Sequence, residues 1–539
     1  MSSFTEALKD RFTFAPAIRD DEQVAQIVRT TKTMDSIHNL EDEAVLDHFM
    51  AYLSEIGVLK SFSDFRASQY QRVMIPFYYF LVTYMAKTLL AVTSMRSLPA
   101  LLFSDQGIMR TLGFSAFVLE EGYCDRGAGK RKEGTKPASP FTHQTLAEFM
   151  TMATPQEMEQ LFNTDIALLA ASGVFHKKVT GIVDGTDIET TPTYKGAGMV
   201  RRKKKEQKKT GIKEVECILY GWKAIALFDR HTEIPIAVKV VPIHEHESSY
   251  ARTLIEQAQR NLGTYSQLTK ILMDRGFLDG ATLYWLTGQK ITFVVPAKSN
   301  MDITEDARRL ALADMGITEI REEAKTTGRG KHKTESLQVT QITGVTDLTS
   351  YNAYRDPEKP VKVNRKNDVG SKINAVVVRQ YRNEFIKPEQ WPVFLTNGSV
   401  EHPFEAYDDY DDRSLIENLL FREGKQGWNL QHAPTRTENG VISHVYMTFL
   451  TMALTTAYRS QEEDEGEAQD RPSSLSPTIG IRNWRRRLVQ ENQDQVIVFC
   501  GIYYGIVHLM DFVQLMGGQM KVQSATKSPS FRRTLHRSP

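Results

Sequence analysis

The segments KVTGIVDGT (178–186) and LTKILMD (268–274) decide the fold of this chain. Each is a short apolar or β-branched run that leads to an aspartate, which is typical of a buried strand. Between them, VECILYGWKAIALFD (215–229) and IPIAVKVVP (234–242) are separated by a short polar turn, a pattern that predicts an antiparallel hairpin. SSYARTLIEQAQRNLG (248–263) follows with a serine cap and apolar residues at helical spacing, so we expect a helix there.

The pattern continues on the far side of Asp274. GFLDGATLYWLTG (276–288) predicts a further helix, and KITFVVPAK (290–298) predicts a further strand. Strand–helix–strand alternation after a hairpin indicates a mixed sheet with helices packed on it. The element order is that of the ribonuclease H fold, so the predicted fold class is α/β with a ribonuclease H-like core.

The remaining chain surrounds and interrupts this core. Periodicity and composition predict five regions: a helical N-terminal domain with a DNA-binding or accessory role (1–175), the first part of the core (176–299), a strand-rich insertion domain (300–398), the second part of the core (399–460), and an acidic linker with a small C-terminal segment and a basic tail (461–539).

Composition sets broad limits on function. Of the 539 residues, 41% are hydrophobic and 25% are charged, which are globular values, and the net charge is only +1. Any signal for nucleic acid must therefore come from local charge clusters. The three cysteines form no CxxC pair, which predicts neither a zinc site nor a disulfide framework. With no apolar leader and no uninterrupted apolar run of about 18 residues, we expect a cytoplasmic protein of a prokaryotic nucleoid with no membrane partner.

Three carboxylates stand where a metal site would form. Asp184 and Asp274 each end a predicted strand, and the two strands are neighbours in a sheet of this order. Glu417 lies on a predicted helix beyond the insertion and would close the site. Two divalent ions about 3.5 to 4 Å apart can activate an attacking oxygen and stabilise a leaving oxygen in phosphodiester chemistry. Oxygen-only ligands favour Mg²⁺, so the sequence predicts two Mg²⁺ ions, with Mn²⁺ as a substitute.

Each acid also has an ordinary structural interpretation. An aspartate that ends a strand is commonly a turn or cap residue, and Asp187 competes with Asp184 for the first position. Glu417 could be one acid on a surface helix. The motif HEHE (244–247) lacks the HExxH spacing of a zinc site, so we interpret its acids as residues that cap the start of the next helix.

The region around Glu417 adds a further pattern. Tyr410, Arg413, Glu417 and Phe421 are spaced at three or four residues, which would place them on one face of a single helix. An arginine beside a catalytic carboxylate could bind a phosphate through two hydrogen bonds. The alternative is a surface ion pair between Arg413 and Glu417.

YDDYDDRSLIENLLFREGKQGWNLQHAP (407–434) resembles the Tyr-Arg-Glu-Lys signature of IS4-type DDE transposases. VDGTDIETTP and LMDRGFLDG are similar to the first and second aspartate motifs of that family. The resemblance implies that Asp184, Asp274 and Glu417 are the catalytic triad and hold the metal ions. It further implies that Tyr410, Arg413 and Lys425 contact DNA phosphates. The family's lysine follows its glutamate by seven residues, a position that Gly424 occupies here, so Lys425 departs from the pattern by one residue.

A strongly basic run lies between the first two predicted strands. RRKKKEQKK (201–209) is predicted to form a loop near the site and to track DNA phosphates; a solvated charged loop is the alternative. The predicted DNA-binding residues of this run are Arg201, Arg202, Lys203, Lys204 and Lys205.

Two functions follow as hypotheses. The first is a DDE transposase that cleaves transposon ends and joins them to target DNA, acting on double-stranded DNA as a homodimer. The alternative is a catalytically inactive or domesticated DNA-binding protein derived from such an enzyme.

Overall fold

The computed structural model describes residues 18–39, 43–115, 118–119, 122–123, 140–208, 211–327, 334–358, 370–382, 384–385, 387–468 and 495–518. The chain divides into two compact units. The first unit comprises Met1–Leu168, Thr193–Gly196 and Glu423–Pro539. The second unit comprises Leu169–Pro192 and Ala197–Arg422.

The N-terminal part of the first unit is rich in helices. In its described residues the helices are α1 (Asp21–Thr31), α2 (Glu43–Glu55), α3 (Val58–Asp64), α4 (Phe77–Leu89), α5 (Leu98–Leu101), α6 (Gln106–Thr111), α7 (His143–Met152) and α8 (Pro155–Ala171), with a 3-10 turn at Met95–Ser97. Asp20 caps α1 by accepting the N–H of Gln23, and Lys32 ends it in the left-handed region at φ 54°.

The same unit contains a small sheet that the sequence did not predict. Its strands are β1 (Ile18–Arg19), β2 (Ser36–Asn39), β14 (Gln495–Cys500) and β15 (Tyr503–His508), in the order β1-β15-β14-β2. The apolar C-terminal run therefore forms two strands, and they pair with strands from the opposite end of the chain.

The described C-terminal residues of the first unit contain the helices α13 (Glu423–Gln426), α14 (Glu438–Ala468) and α15 (Leu509–Met516). Among the described residues, the stretch Glu438–Gln461 of α14 is long and apolar enough to span a membrane, but 94% of its most apolar window is buried inside the protein. Helix α14 continues to Ala468 and so includes the start of the acidic linker that the sequence predicts from Gln461 onward. Residues 469–494 and 519–539, including the predicted basic tail, lie outside the described residues.

The second unit is built on one mixed sheet. Its described strands are β3 (Lys178–Thr190), β4 (Gly198–Lys208), β5 (Gly211–Asp229), β6 (Pro235–Pro242), β7 (Gln267–Met273), β8 (Thr292–Pro296), β9 (Ile317–Thr327), β10 (Thr334–Leu348), β11 (Ile373–Arg382), β12 (Glu384–Phe385) and β13 (Val393–Thr396). The sheet order is β4-β5-β3-β7-β8-β13-β11-β10-β9, with β6 also paired to β5 and β12 to β11.

The centre of this sheet agrees with the sequence pattern. Strands β5 and β6 form an antiparallel hairpin, β3 is antiparallel to β5, and β3, β7 and β8 are parallel. Helix α9 (Ser248–Leu262) connects β6 to β7, and α10 (Gly280–Gly288) connects β7 to β8. Helix α9 buries apolar residues three or four positions apart, Ala251, Leu254, Ile255, Ala258 and Leu262. The mixed α/β class is therefore confirmed.

The predicted insertion continues this sheet. Strand β13 pairs antiparallel with β8, and β11, β10 and β9 follow in antiparallel order. Helix α11 (Asp302–Leu312) and a 3-10 turn at Pro388–Gln390 accompany these strands. These strands are hydrogen-bonded to the central strands through β8.

The prediction of a loop for the basic run is wrong. Residues Arg201 to Lys208 lie within β4, which pairs antiparallel with β5 from Gly198↔Gly221 to Lys208↔Gly211. We call β4 together with residues 211–219 of β5 the basic arm. Main-chain pairing to β5 explains how so charged a run can be a strand. Lys209 lies outside the described residues.

Candidate active site

Strand register places Asp184 next to Asp274. The parallel strands β3 and β7 pair Val183 with Met273, so the aspartates that follow are neighbours across the two strands, which lie about 4.8 Å apart. Asp274 directly follows β7, as predicted. The prediction that Asp184 ends its strand is wrong, because β3 continues to Thr190 through its pairing with β5.

Asp184 is the buried acid of the site. It is 8% exposed, and its Oδ1 accepts the N–H of Gly185 at 2.8 Å. Burial raises the pKa of Asp184 to about 6; the carboxylates of Glu247 and Glu417 add to the rise, whereas the Gly185 N–H and Arg413 oppose it. Negative charge in this position is therefore costly, and a nearby cation would relieve that cost.

Arg413 joins the first and third predicted acids. Its Nη1 donates to Asp184 Oδ2 at 2.7 Å, and its Nη2 lies 2.9 Å from Glu417 Oε1. The Arg413 side chain is 17% exposed and that of Glu417 is 55% exposed. The Arg413 guanidinium therefore contacts both Glu417 and Asp184 of the central strand β3, although Asp184 is 229 positions away from Arg413 in sequence.

The single helical face predicted for this region is wrong in its geometry. Helix α12 (Pro403–Asp411) ends soon after Tyr410, and Glu417 lies in a separate π-helix, Ile416–Arg422. The π-helix is rare and frequently occurs at functional sites. Arg413 and Glu417 still form an ion pair, although α12 and the π-helix are separate elements. It is more than a surface pair, since Arg413 also binds Asp184.

Tyr410 packs at the end of α12. Its ring centroid lies 4.6 Å from that of Phe394, and the Arg413 guanidinium carbon lies 5.8 Å from the Tyr410 ring centroid. Burial raises the pKa of Tyr410, and Arg413 opposes that shift. The hydroxyl is therefore a neutral hydrogen-bonding group at ordinary pH.

Helix α12 is fixed to the sheet by Asp409. The Asp409 side chain is 10% exposed; its Oδ1 accepts from Arg230 Nη1 at 2.7 Å, and its Oδ2 pairs with Lys270 of β7. Arg230 also pairs with Asp412. This network holds the segment between Tyr410 and Arg413 against the strand that leads to Asp274.

Asp187 has a different partner from Asp184. It forms an ion pair with Arg202 of the basic arm. In a strand, residues three positions apart point to opposite faces, so Asp187 and Asp184 do not share a face. Asp184, and not Asp187, therefore lies on the face of β3 that Arg413 contacts.

Glu247 is a site residue that the sequence interpretation missed. It lies at the N-cap of α9 but makes no capping hydrogen bond with its side chain. Instead, its Oε1 lies 2.8 Å from Lys223 Nζ. A Cβ added at Gly185 would lie 2.9 Å from Cδ of Glu247, so this carboxyl group rests against the residue after Asp184. The capping interpretation is wrong for Glu247, and the acidic end of the HEHE motif was the available signal.

The donor chemistry of the site is purely oxygen-based. Asp184, Asp274, Glu417 and Glu247 contribute carboxylates, the ligands that Mg²⁺ prefers. Among the described residues, no group of three or more His, Cys, Asp or Glu side chains is gathered closely enough to hold a metal ion. Between Asp184 and Glu417 the position is taken by the Arg413 guanidinium.

The other predicted DNA-binding residues lie on β4 and in α13. On β4, Arg201 and Lys203 are exposed, and Arg202 between them is half-buried and paired with Asp187. Lys204 and Lys205 continue β4 opposite Val215 and Glu214. Lys425 lies in α13, within the first unit.

Comparison with known proteins identifies the family. Residues 175–454, more than half of the chain, match the transposase DDE domain family. The chain therefore belongs to the transposase DDE domain family, whose members in general cleave and transfer DNA.

One solved structure similar to the chain is a cryo-EM structure of the piggyBac transposase synaptic complex with hairpin DNA. The two share 11% sequence identity with a TM-score of 0.37, over 98% of this chain and 85% of that chain. No curated protein matches the sequence.

Proposed function

We propose that the chain is an IS4-type DDE transposase that catalyses Mg²⁺-dependent cleavage at transposon ends and strand transfer into target DNA. The observation that carries the proposal is the link from Asp184 through Arg413 to Glu417, with Asp274 beside Asp184 in register. These residues lie within the stretch that matches the transposase DDE domain family, and they are the three acids to which the resemblance to IS4-type motifs points.

The central strands support a ribonuclease H-like core. Their order β6-β5-β3-β7-β8, with an antiparallel hairpin on one side and two parallel strands on the other, is the arrangement expected for that fold. In this arrangement β3 and β7 carry the two aspartates, and a later segment supplies the glutamate. The strands β9 to β13 would then be an insertion that extends the core sheet.

The residues fit a hard divalent cation. Asp184, Asp274 and Glu417 would hold it through carboxylate oxygens, and burial of Asp184 gives a reason for added positive charge there. When bound, two Mg²⁺ ions, or Mn²⁺ in their place, would activate the attacking oxygen and stabilise the leaving oxygen.

Arg413 and Tyr410 would contact phosphate groups of the DNA. A guanidinium can bind a phosphate through two parallel hydrogen bonds, and Arg413 already has both terminal nitrogens directed at anionic oxygens. Tyr410 would add a neutral hydroxyl beside it. Lys425 is assigned to the DNA on its resemblance to the family motif alone.

The basic arm would provide affinity for double-stranded DNA. Every second residue at the start of β4 is exposed, and these side chains lie on one face of the basic arm: Met199, Arg201 and Lys203. Cations on such a face bind phosphates by displacing counterions, without reading sequence. We further propose a homodimer on paired transposon ends, acting in a prokaryotic cytoplasm at the nucleoid.

The test is a cleavage assay on linear DNA that carries the inverted repeats flanking the gene. We expect Mg²⁺-dependent nicking at the repeat ends and joining of the free 3′ ends to a target plasmid. Asp184→Ala, Asp274→Ala and Glu417→Ala should each abolish cleavage while gel-shift binding persists. Glu256→Ala, which removes an exposed pair with Arg252 on α9, is the matched control and should remain active.

Two outcomes would overturn the proposal. Full activity in any of the three triad variants would remove that residue from the reaction. Binding of the repeats by the wild-type chain without any cleavage would instead support the inactive, DNA-binding alternative.

A further inference from the structure

The two faces of the basic arm have different surroundings. Residues paired directly across β4 and β5 point to the same face, and successive residues along each strand alternate between the faces. One face carries Arg202 and Cys217, which are paired with each other and half-buried. Arg202 forms its ion pair with Asp187, and the Cys217 thiol donates to the Arg202 carbonyl oxygen at 3.3 Å. This face is therefore engaged within the protein.

The opposite face is open to solvent and carries two large apolar side chains. Met199 and Ile218 are each 48% exposed. Met199 pairs with Tyr220 and Arg201 pairs with Ile218, so the two apolar residues are diagonal neighbours, about 7 to 8 Å apart. The described side chains on this face, which we call the outer face, are those of Met199, Arg201, Lys203, Glu216, Ile218 and Tyr220.

The charges beside the apolar pair favour DNA as its partner. Arg201 and Lys203 are exposed, and the one acid among the described side chains of the outer face is Glu216, opposite Lys203. Single exposed apolar residues are ordinary on a protein surface, but here two of them share a narrow ribbon with two cations. Duplex DNA offers phosphates to the cations and, in its major groove, the C5 methyl groups of thymine to apolar side chains.

The dimensions of the arm fit the major groove. Its two strands lie about 4.8 Å apart, and the major groove, about 12 Å wide, admits a two-stranded ribbon together with its side chains. The minor groove is only about 6 Å wide. Ribbons of this kind can lie in the major groove with one face toward the base edges.

The outer face continues the face of the sheet on which Arg413 contacts Asp184. Asp184 pairs with Ala226, and positions 226 and 218 differ by an even number along a strand whose pairing stays in register. The stretch of β5 from Ala226 to Ile218 is about 26 Å long at about 3.3 Å per residue. This length corresponds to roughly eight base pairs at about 3.4 Å each. A duplex with its cleaved bond at Asp184 would therefore reach the outer face within about one helical turn.

We propose that the outer face enters the major groove of the transposon end, with Met199 and Ile218 against thymine C5 methyl groups and Arg201 and Lys203 on the flanking phosphates. The inference rests on the proposed function, since it takes double-stranded DNA as the ligand of the arm. It adds a preference for thymine to a surface whose cations alone bind without regard to sequence.

The experiment compares two forms of the inverted-repeat duplex, one with thymine and one with uracil at every thymine position. Uracil lacks only the C5 methyl group. Fluorescence anisotropy with the full-length protein measures the affinity for each duplex. The wild type should bind the uracil duplex about 4-fold more weakly for each methyl group contacted, the value expected for burying one group of that size.

The double variant Met199→Gln with Ile218→Thr should lose this discrimination. It should bind the thymine duplex about as weakly as the wild type binds the uracil duplex, and it should bind the uracil duplex as the wild type does. Threonine retains the branched Cβ that suits a strand. Because no charge changes, the slope of log K against log salt should stay that of the wild type.

Met315→Gln with Ile317→Thr is the matched control. Met315 is 61% exposed and Ile317 is 46% exposed, and both lie outside the arm. This variant should retain the wild-type preference for the thymine duplex. Thermal unfolding verifies that both double variants are folded.

Three results would overturn the inference. They are equal affinity of the wild type for the two duplexes, an unchanged preference for thymine in the arm variant, and an equal loss of affinity for both duplexes in that variant. Any of these, together with Mg²⁺-dependent cleavage by the wild type, would reject only the role of Met199 and Ile218. Failure of the wild type to bind either duplex would instead reject the proposed function and the inference together.

Discussion

The two halves of strand β5 lie in opposite environments. Residues 220–229 pair with β3, and most of them also pair with β6; Ala226, opposite Asp184, is fully buried. Residues 211–219 pair with β4 alone in the described part of the sheet, and Ile218, opposite Arg201, is 48% exposed. One strand thus supports a buried acidic site with its second half and the basic arm with its first.

This difference predicts two kinds of sensitivity. A buried site depends on a few groups held at hydrogen-bond distance, so single substitutions should have large effects. An exposed basic arm acts through the sum of its charges, so single substitutions should have small, additive and salt-dependent effects.

The largest effect is expected on folding, at the ion pairs that hold α12. Asp409→Asn should lower the free energy of unfolding by about 3 to 5 kcal/mol, because it leaves Lys270 without its buried partner and removes one of the two carboxylates that Arg230 contacts. Denaturant unfolding measures this change. Asp408→Asn is the matched control: its pair with Arg321 is exposed, so the expected loss is below about 1 kcal/mol. Equal losses in the two variants would contradict the role given to Asp409.

The next largest effect is expected on the rate of strand cleavage, with little change in DNA affinity. Arg413→Gln should slow strand cleavage by about 10²- to 10³-fold, the range seen when one positioned donor to a reacting oxygen is removed. Arg413→Lys should restore little, since an ammonium cannot replace two directed nitrogens. DNA affinity, measured by fluorescence anisotropy, should change little in both. A loss of affinity as large as the loss of cleavage would break the division between site and arm.

The third effect is expected on DNA affinity, with little change in the rate of cleavage. Replacing Arg201, Lys203, Lys204 and Lys205 by glutamine should reduce the salt dependence of DNA binding, lowering the slope of log K against log salt by up to about 3 to 4. The rate of cleavage at saturating protein should stay near that of the wild type. An unchanged slope would mean that the arm is a solvated surface.

The smallest effect is expected within the arm itself. Arg202 is already paired with Asp187, so Arg202→Gln should change the salt slope less than Lys203→Gln does. Asp187→Asn should retain Mg²⁺-dependent cleavage within a factor of a few. Loss of cleavage in Asp187→Asn, with activity in Asp184→Asn, would reverse the choice of the first acid.

The part of the site that sequence could predict is the part set by strand order. Parallel neighbours β3 and β7 place Asp184 and Asp274 side by side, and this follows from the hydrophobic runs together with the order of the elements along the chain. The π-helix at Glu417 was not predictable, because residues three and four apart fit a continuous α-helix equally well. The position of Glu247 could not be predicted because its side chain contacts Lys223 and lies against Gly185, which are distant in sequence.

Two other features of the fold could not be predicted because they also depend on residues that are distant in sequence. Strand β4 carries no apolar alternation, so its pairing with β5 could not be inferred from its charged residues. The sheet that joins β1 and β2 to β14 and β15 connects the two ends of the chain, and local pattern contains no information about such pairing. Tertiary partners decided the structure in both cases.

Anomalous diffraction from a crystal of the protein grown with Mn²⁺ would test the central claim most directly. The account predicts Mn²⁺ peaks within about 2.2 Å of carboxylate oxygens from Asp184, Asp274 and Glu417, with Arg413 released from at least one of its two acids. Mn²⁺ bound elsewhere in the protein, with Asp184 still held only by Gly185 and Arg413, would contradict it.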